Sequence, residues 1–137
     1  MLRIETKGRA RALQILYAWE LEGKPPIASV VPGVARLTGP EPLILDRAEE
    51  LAARIAEEVE SLDAELSHGA ENWRMSRIAI VERNILRLGI YELRHGNVPP
   101  KVAIDEAVRL AHWFGGVRAA GFVNGVLDGI ARSLGRL

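Results

Sequence analysis

The side chains able to do acid–base or metal chemistry near neutral pH are few in this sequence, and they are scattered. There is no cysteine, so thiolate nucleophiles, disulfides and thiolate metal sites are excluded, as fits a reducing compartment. His68, His95 and His112 are not spaced three or four residues from other ligands in a zinc pattern. His112 follows Asp105 and Glu106 by about two helical turns, and those acids complement the dipole of a helix start. Gly115 and Gly116 lack the preceding strand and the following lysine and hydroxyl of a phosphate-binding loop. With no convergent acid, base or nucleophile, neither a catalytic site, nor a metal, nor a cofactor is expected.

Anion chemistry is better provided for. Arg3, Lys7, Arg9 and Arg11 stand against Glu5 alone in the first eleven residues. Thr6 is a reasonable N-cap, which predicts a helix from there to about Glu22. Cations at a helix N-terminus oppose the macrodipole at about 0.3 to 1 kcal/mol each. Basic side chains and amide donors meeting at one place suit a phosphate backbone; a solvated terminus whose charges confer solubility is the plainer alternative.

The elements that must position such groups read as helices. Leu13, Leu16, Tyr17 and Leu21 lie on one side of the first helix, with Ile15 and Trp19 on another, as in a helix buried among neighbours. Residues 23–42 carry five of the seven prolines and three glycines, which predicts a long mobile connection with a short helix over 28–37. From Leu43 to Leu66 apolar residues recur at threes and fours with acids elsewhere, predicting one long amphipathic helix with a solvated acidic face. Ser76 is a good N-cap for a helix reaching His95, apolar on two sides, whose Arg77, Glu82, Arg83, Asn84 and Arg87 are expected on a narrow exposed strip. Pro99 and Pro100 stop it and open a helix with Ile104, Ala107, Val108 and Ala111 on one face. Gly115 and Gly116 are expected to end that helix through positive φ. Val123, Val126, Leu127, Ile130 and Leu134 form the stripe of a last helix, in which Gly125, costing about 1 kcal/mol against alanine, is expected to serve a close helix contact.

The whole is all-α, without a convincing strand, repeat or low-complexity tract. At 137 residues it is one ordinary domain able to bury a core. Eighteen basic and eighteen acidic side chains cancel, so bulk charge does not make it a general polyanion binder. No apolar run approaches the length of a membrane span and no signal peptide is visible, so a soluble cytoplasmic protein is expected.

Four ordered segments carry a family resemblance: R-x-x-A-L-Q-x-L-Y from Arg9 to Tyr17, RNILRLGIYEL, VPPKVAIDEAVRLAHWFGG, and GFVNGVLD. Over nearly its whole length, apart from the 23–42 loop, the chain resembles the NusB transcription antitermination factors. The resemblance implies a single RNA-binding domain of about seven helices in two bundle-like halves, about 1–68 and 69–137, the first helix framing both. It implies no enzymatic activity. It also implies binding of the boxA element of nascent RNA together with NusE, a ribosomal small-subunit protein, in the RNA polymerase antitermination complex that transcribes ribosomal RNA.

Position by position, Lys7 and Arg9 match the family's basic N-terminal cluster, beside which Arg3 and Arg11 are expected to meet RNA, and Tyr17 matches an aromatic position on the same surface. Glu82 and Arg83 match polar positions on the exposed strip of the central helix, and Phe114, the turn Val117, Arg118 and Ala119, and Phe122 match the junction of NusE and RNA; Arg83 and Phe122 are expected toward RNA, and Glu82, Phe114 and the turn toward NusE. Two departures stand out. Glu5, Thr6 and Gly8 interrupt the basic run, and Val117–Arg118 replaces a pair that is commonly more polar or acidic. Two other functions share these strings: the NusB-like domain of an rRNA cytosine methyltransferase, and a helical interaction module without RNA binding. The apolar first helix also leaves room for a homodimer when the protein is alone.

Overall fold

The computed structural model describes residues 2–70 and 75–137. Within them are seven α-helices and one 3-10 turn, with no strand. The helices are α1 (Ile4–Leu21), α2 (Ile27–Thr38), α3 (Pro42–Glu57), α4 (Val59–Gly69), α5 (Ile80–His95), α6 (Pro100–Phe114) and α7 (Ala119–Ser133); the 3-10 turn is Met75–Arg77. The HGAENWRM link falls partly on 71–74, outside the described residues. None of the helices is long and apolar enough to cross a membrane.

The chain forms two compact units, one running up to Glu58 and the other from Val59 on. In the first, α1 packs against α2 and α3, and α2 against α3. Ala12, Leu13, Ile15, Leu16 and Trp19 are buried, whereas Tyr17 and Leu21 are exposed. So α1 turns Thr6 and Arg9 inward in addition to its apolar residues. It starts at Ile4 rather than Thr6, with Arg3 as N-cap residue and no side chain capping it. Gly23 and Lys24, at φ 85° and 63°, reverse the chain at its end.

Residues 23–42 are more ordered than their prolines suggest. Ile27, Val30 and Val34 share one buried face and carry a full α2. Pro32 lies inside it, and the carbonyl it leaves without a helical donor belongs to Ala28, which is exposed to water.

The long helix expected over 43–66 is two. At Glu58 the backbone departs to φ −104° and ψ 10°, and its N–H turns back to the Ile55 carbonyl at 3.1 Å. Here the stripe changes cores: α3 buries Ile44, Ala48, Ala52 and Ile55, and α4 buries Leu62 and Leu66 against α5 and α7. The seam between units falls there, not near 68.

In the second unit α5 packs against α4, α6 and α7. Of its expected exposed strip, Asn84 and Arg87 are fully buried. Arg87 grips Asp63 of α4 with a two-point fork, Nε to Oδ1 at 2.7 Å and Nη2 to Oδ2 at 2.8 Å. Its Nη1 donates to Asn84 Oδ1 at 2.9 Å, and Asn84 Nδ2 donates to the Ile80 carbonyl at 3.0 Å. One acid of the supposedly solvated face of α4 is therefore an internal partner. Arg94 repeats the link about two turns on, reaching Ser61 and, at 3.8 Å, Glu65.

The glycines do different work from that expected. Gly115 is extended, at φ −92° and ψ 177°. A Cβ there would stand 2.5 Å from the Ala119 Cβ and 2.9 Å from the Ala111 carbonyl oxygen, so the tight α6–α7 turn requires its small size. Gly125 is exposed, and a Cβ there would meet nothing within 4 Å. Close approach occurs instead at Gly89, where a Cβ would come within 2.6 Å of Leu127, and at Gly69, within 2.5 Å of Ile130. The stripe Val123, Val126, Leu127 and Ile130 of α7 is buried, as its spacing predicts. Arg136 closes the unit, donating to the Leu93 carbonyl at 2.6 Å and the Val98 carbonyl at 3.1 Å.

Candidate nucleic-acid interface

In the second unit a cavity of about 400 Å³ opens between the start of α5 and the α6–α7 turn. Arg77, Ile78, Ala79 and Glu82 line one wall; Gly116, Arg118, Ala119 and Phe122 line the other. Both walls are helix beginnings. Ala79 is the N-cap residue of α5 and Arg118 that of α7, and neither helix has a side-chain cap. Two helix beginnings therefore border one mostly apolar space, with Arg77, Arg118 and Glu82 among the residues that line it. Phe122, half-buried, supplies an aromatic surface.

The first wall is braced from behind. Arg83 Nη1 donates to the Met75 carbonyl at 3.0 Å and to the Ile78 carbonyl at 3.3 Å, holding the 3-10 turn that presents Arg77. Arg83, expected to meet RNA itself, is at least partly committed to shaping the cavity. The second wall is set by the Ala119 N–H to the Gly116 carbonyl, 3.0 Å, and the Phe122 N–H to the Arg118 carbonyl, 3.2 Å.

Of the residues expected toward a partner, Glu82, Arg118 and Ala119 line the cavity with Phe122. Val117 projects fully into solvent. Phe114 is exposed and outside the lining, edge-on to Trp113. Arg77 and Gly116 complete the walls; neither is marked out as a site residue by the sequence, where Arg77 is one cation among several on the expected strip of α5.

The basic cluster belongs to the first unit, on α1. Arg3 and Lys7 are exposed, and Tyr17 is 39% exposed. Arg9 is 8% exposed. The Arg11 side chain is mostly buried with its Nη2 3.6 Å from Glu41, and its buried Nη1 has no hydrogen-bond partner. Among the described residues no group of three or more histidine or acidic side chains is placed to hold a metal ion.

The NusB family model matches residues 6–132. The chain belongs to the NusB family. A transcription antitermination protein NusB of Sorangium cellulosum is 42% identical, the match covering 95% of this chain and 93% of that one. The NusB of Solibacter usitatus is 37% identical over 93% and 88%. Among solved structures, NusB from Aquifex aeolicus is 27% identical with a TM-score of 0.84, covering 96% of this chain and 90% of its own. A structure of antitermination factors NusB and NusE in complex with double-stranded RNA contains a chain 27% identical with a TM-score of 0.83, covering 97% and 99%. The family's members by these names are antitermination factors, and the matched relatives are spanned nearly end to end.

Proposed function

We propose that this family member binds the boxA element of nascent ribosomal RNA transcripts jointly with NusE and, in the RNA polymerase antitermination complex, carries transcription through terminators. The observation that carries the reading is the cavity lined in common by two helix N-termini, Arg77, Arg118 and Phe122. Single-stranded RNA is held by phosphate contacts to cations and by stacking of unpaired bases on aromatic rings, and the cavity offers both. The exposed Arg3 and Lys7 at the uncapped start of α1 add a second cationic surface. Exposed Phe114 and Val117 offer apolar surface to NusE.

Fluorescence anisotropy with boxA RNA, with and without NusE, tests the reading. The pair is expected to bind boxA RNA more tightly than a scrambled sequence; equal binding overturns it. Lys7→Glu is the informative change in the α1 cluster, because Lys7 is exposed while Arg9 is buried. It is expected to weaken RNA binding without altering helicity by circular dichroism.

A further inference from the structure

Trp113 has no place in the core of its helix. It lies in the last turn of α6, off the buried Ile104, Ala107 and Ala111 face, and is 45% exposed. Its ring meets Phe114 edge-on, the centroids 6.5 Å apart at an interplanar angle of 83°. The guanidinium carbon of Arg109, one turn earlier, stands 5.8 Å from the Trp113 centroid. Arg109 Nε in turn pairs with Glu106 Oε2 at 3.3 Å. A half-exposed pair of this kind contributes little to stability; its effect here is to hold a cation beside the indole.

A single exposed apolar residue is ordinary, but Trp113, Phe114 and Val117 are all exposed within five positions. They adjoin the RNA cavity. Gly116, which lines it, is three residues beyond Trp113, a span of at most about 11 Å. Arg109, exposed His112 and Arg118 put basic side chains before and after the aromatic pair, and the acid nearest in sequence, Glu106, is engaged by Arg109.

We propose that Trp113 is a second base-stacking platform, taking an unpaired nucleotide of the same RNA strand beside the one at Phe122. The proposal rests on the RNA-binding reading of the Phe122 cavity. Aromatic rings interleaved with arginines are the chemistry that holds single-stranded nucleic acid without regard to base identity. An uncharged apolar partner surface would not call for the cations, so the pattern favours RNA over protein here.

The test is anisotropy with a short boxA RNA and the same RNA lengthened by a few uridines at its 5′ or 3′ end, in the presence of NusE. The wild-type chain is expected to gain roughly tenfold in affinity from one of the two extensions. Trp113→Ala should lose that gain and keep its affinity for the short RNA; Trp113→Phe should keep most of the gain. Phe122→Ala should weaken the short RNA. If no extension helps the wild type, or Trp113→Ala retains the gain, the stacking platform is overturned while the cavity reading stands. If Trp113→Ala weakens only the NusE contact, the surface belongs to the protein partner and the proposal fails. If the wild type does not bind the short RNA, the RNA-binding reading itself fails and this proposal with it.

Discussion

Arg87 and Arg83 are one turn apart on α5, and their sequence context makes them look alike, yet they do different work. The Arg87 fork to Asp63 depends on a partner 24 positions away, which helical periodicity does not reveal. Without that partner, an arginine between two apolar stripes reads as exposed. Arg87→Ala would strand Asp63 and Asn84 beside a vacated volume, and is expected to destabilise the protein by about 3 kcal/mol, measurable by urea denaturation. Arg118, which the family strings place toward NusE, lines the cavity, and under the proposed function it would meet a phosphate there. Arg118→Glu is expected to leave the melting temperature unchanged, weaken RNA binding, and lower the magnitude of its salt dependence by about one phosphate contact. Arg83→Ala should weaken RNA binding by a different route, through loss of its bonds to the Met75 and Ile78 carbonyls. It should therefore lower thermal stability as well, by about 1 to 3 kcal/mol. Comparing melting curves with RNA titrations for the two variants separates a contact from a brace.

The helices themselves were largely legible, because buried faces repeat at threes and fours whatever the tertiary setting. Pro100 at the start of α6 and the buried stripe of α7 follow the sequence closely. The helix break at Glu58 has no glycine or proline to announce it, since Ile55, Val59 and Leu62 preserve the period across it; only the change of packing partners makes two helices of one pattern. Glycines were the least legible, because a small residue records the nearness of something else in space. Gly125, inside α7 with open space around it, should gain about 1 kcal/mol on replacement by alanine. Gly89→Ala should lose about 1 to 3 kcal/mol, since its new methyl would be driven against Leu127 across the α5–α7 contact. Thermal melts of the two variants, moving in opposite directions, would distinguish a tolerated helix glycine from one required by packing.

For the molecule as a whole, equal numbers of acidic and basic residues conceal a cationic surface on α1 and another at the cavity. RNA affinity should fall with salt at a slope of about 0.7 per phosphate engaged, and this local charge, rather than net charge, sets that slope. The all-helical class was visible from periodicity, and the family from four short strings. The seam at Glu58 was not, because a boundary between two cores is defined by which helices meet. Arg136 adds a consequence in time. Helices α1 to α3 find their packing partners within the first 58 residues, whereas the carbonyls of Leu93 and Val98 receive their donors from a side chain 43 and 38 positions later. At ordinary rates of translation the stretch from Val59 to Arg136 takes about 4 to 16 s to make. The first unit can thus be assembling while the turn between α5 and α6 still awaits its clasp.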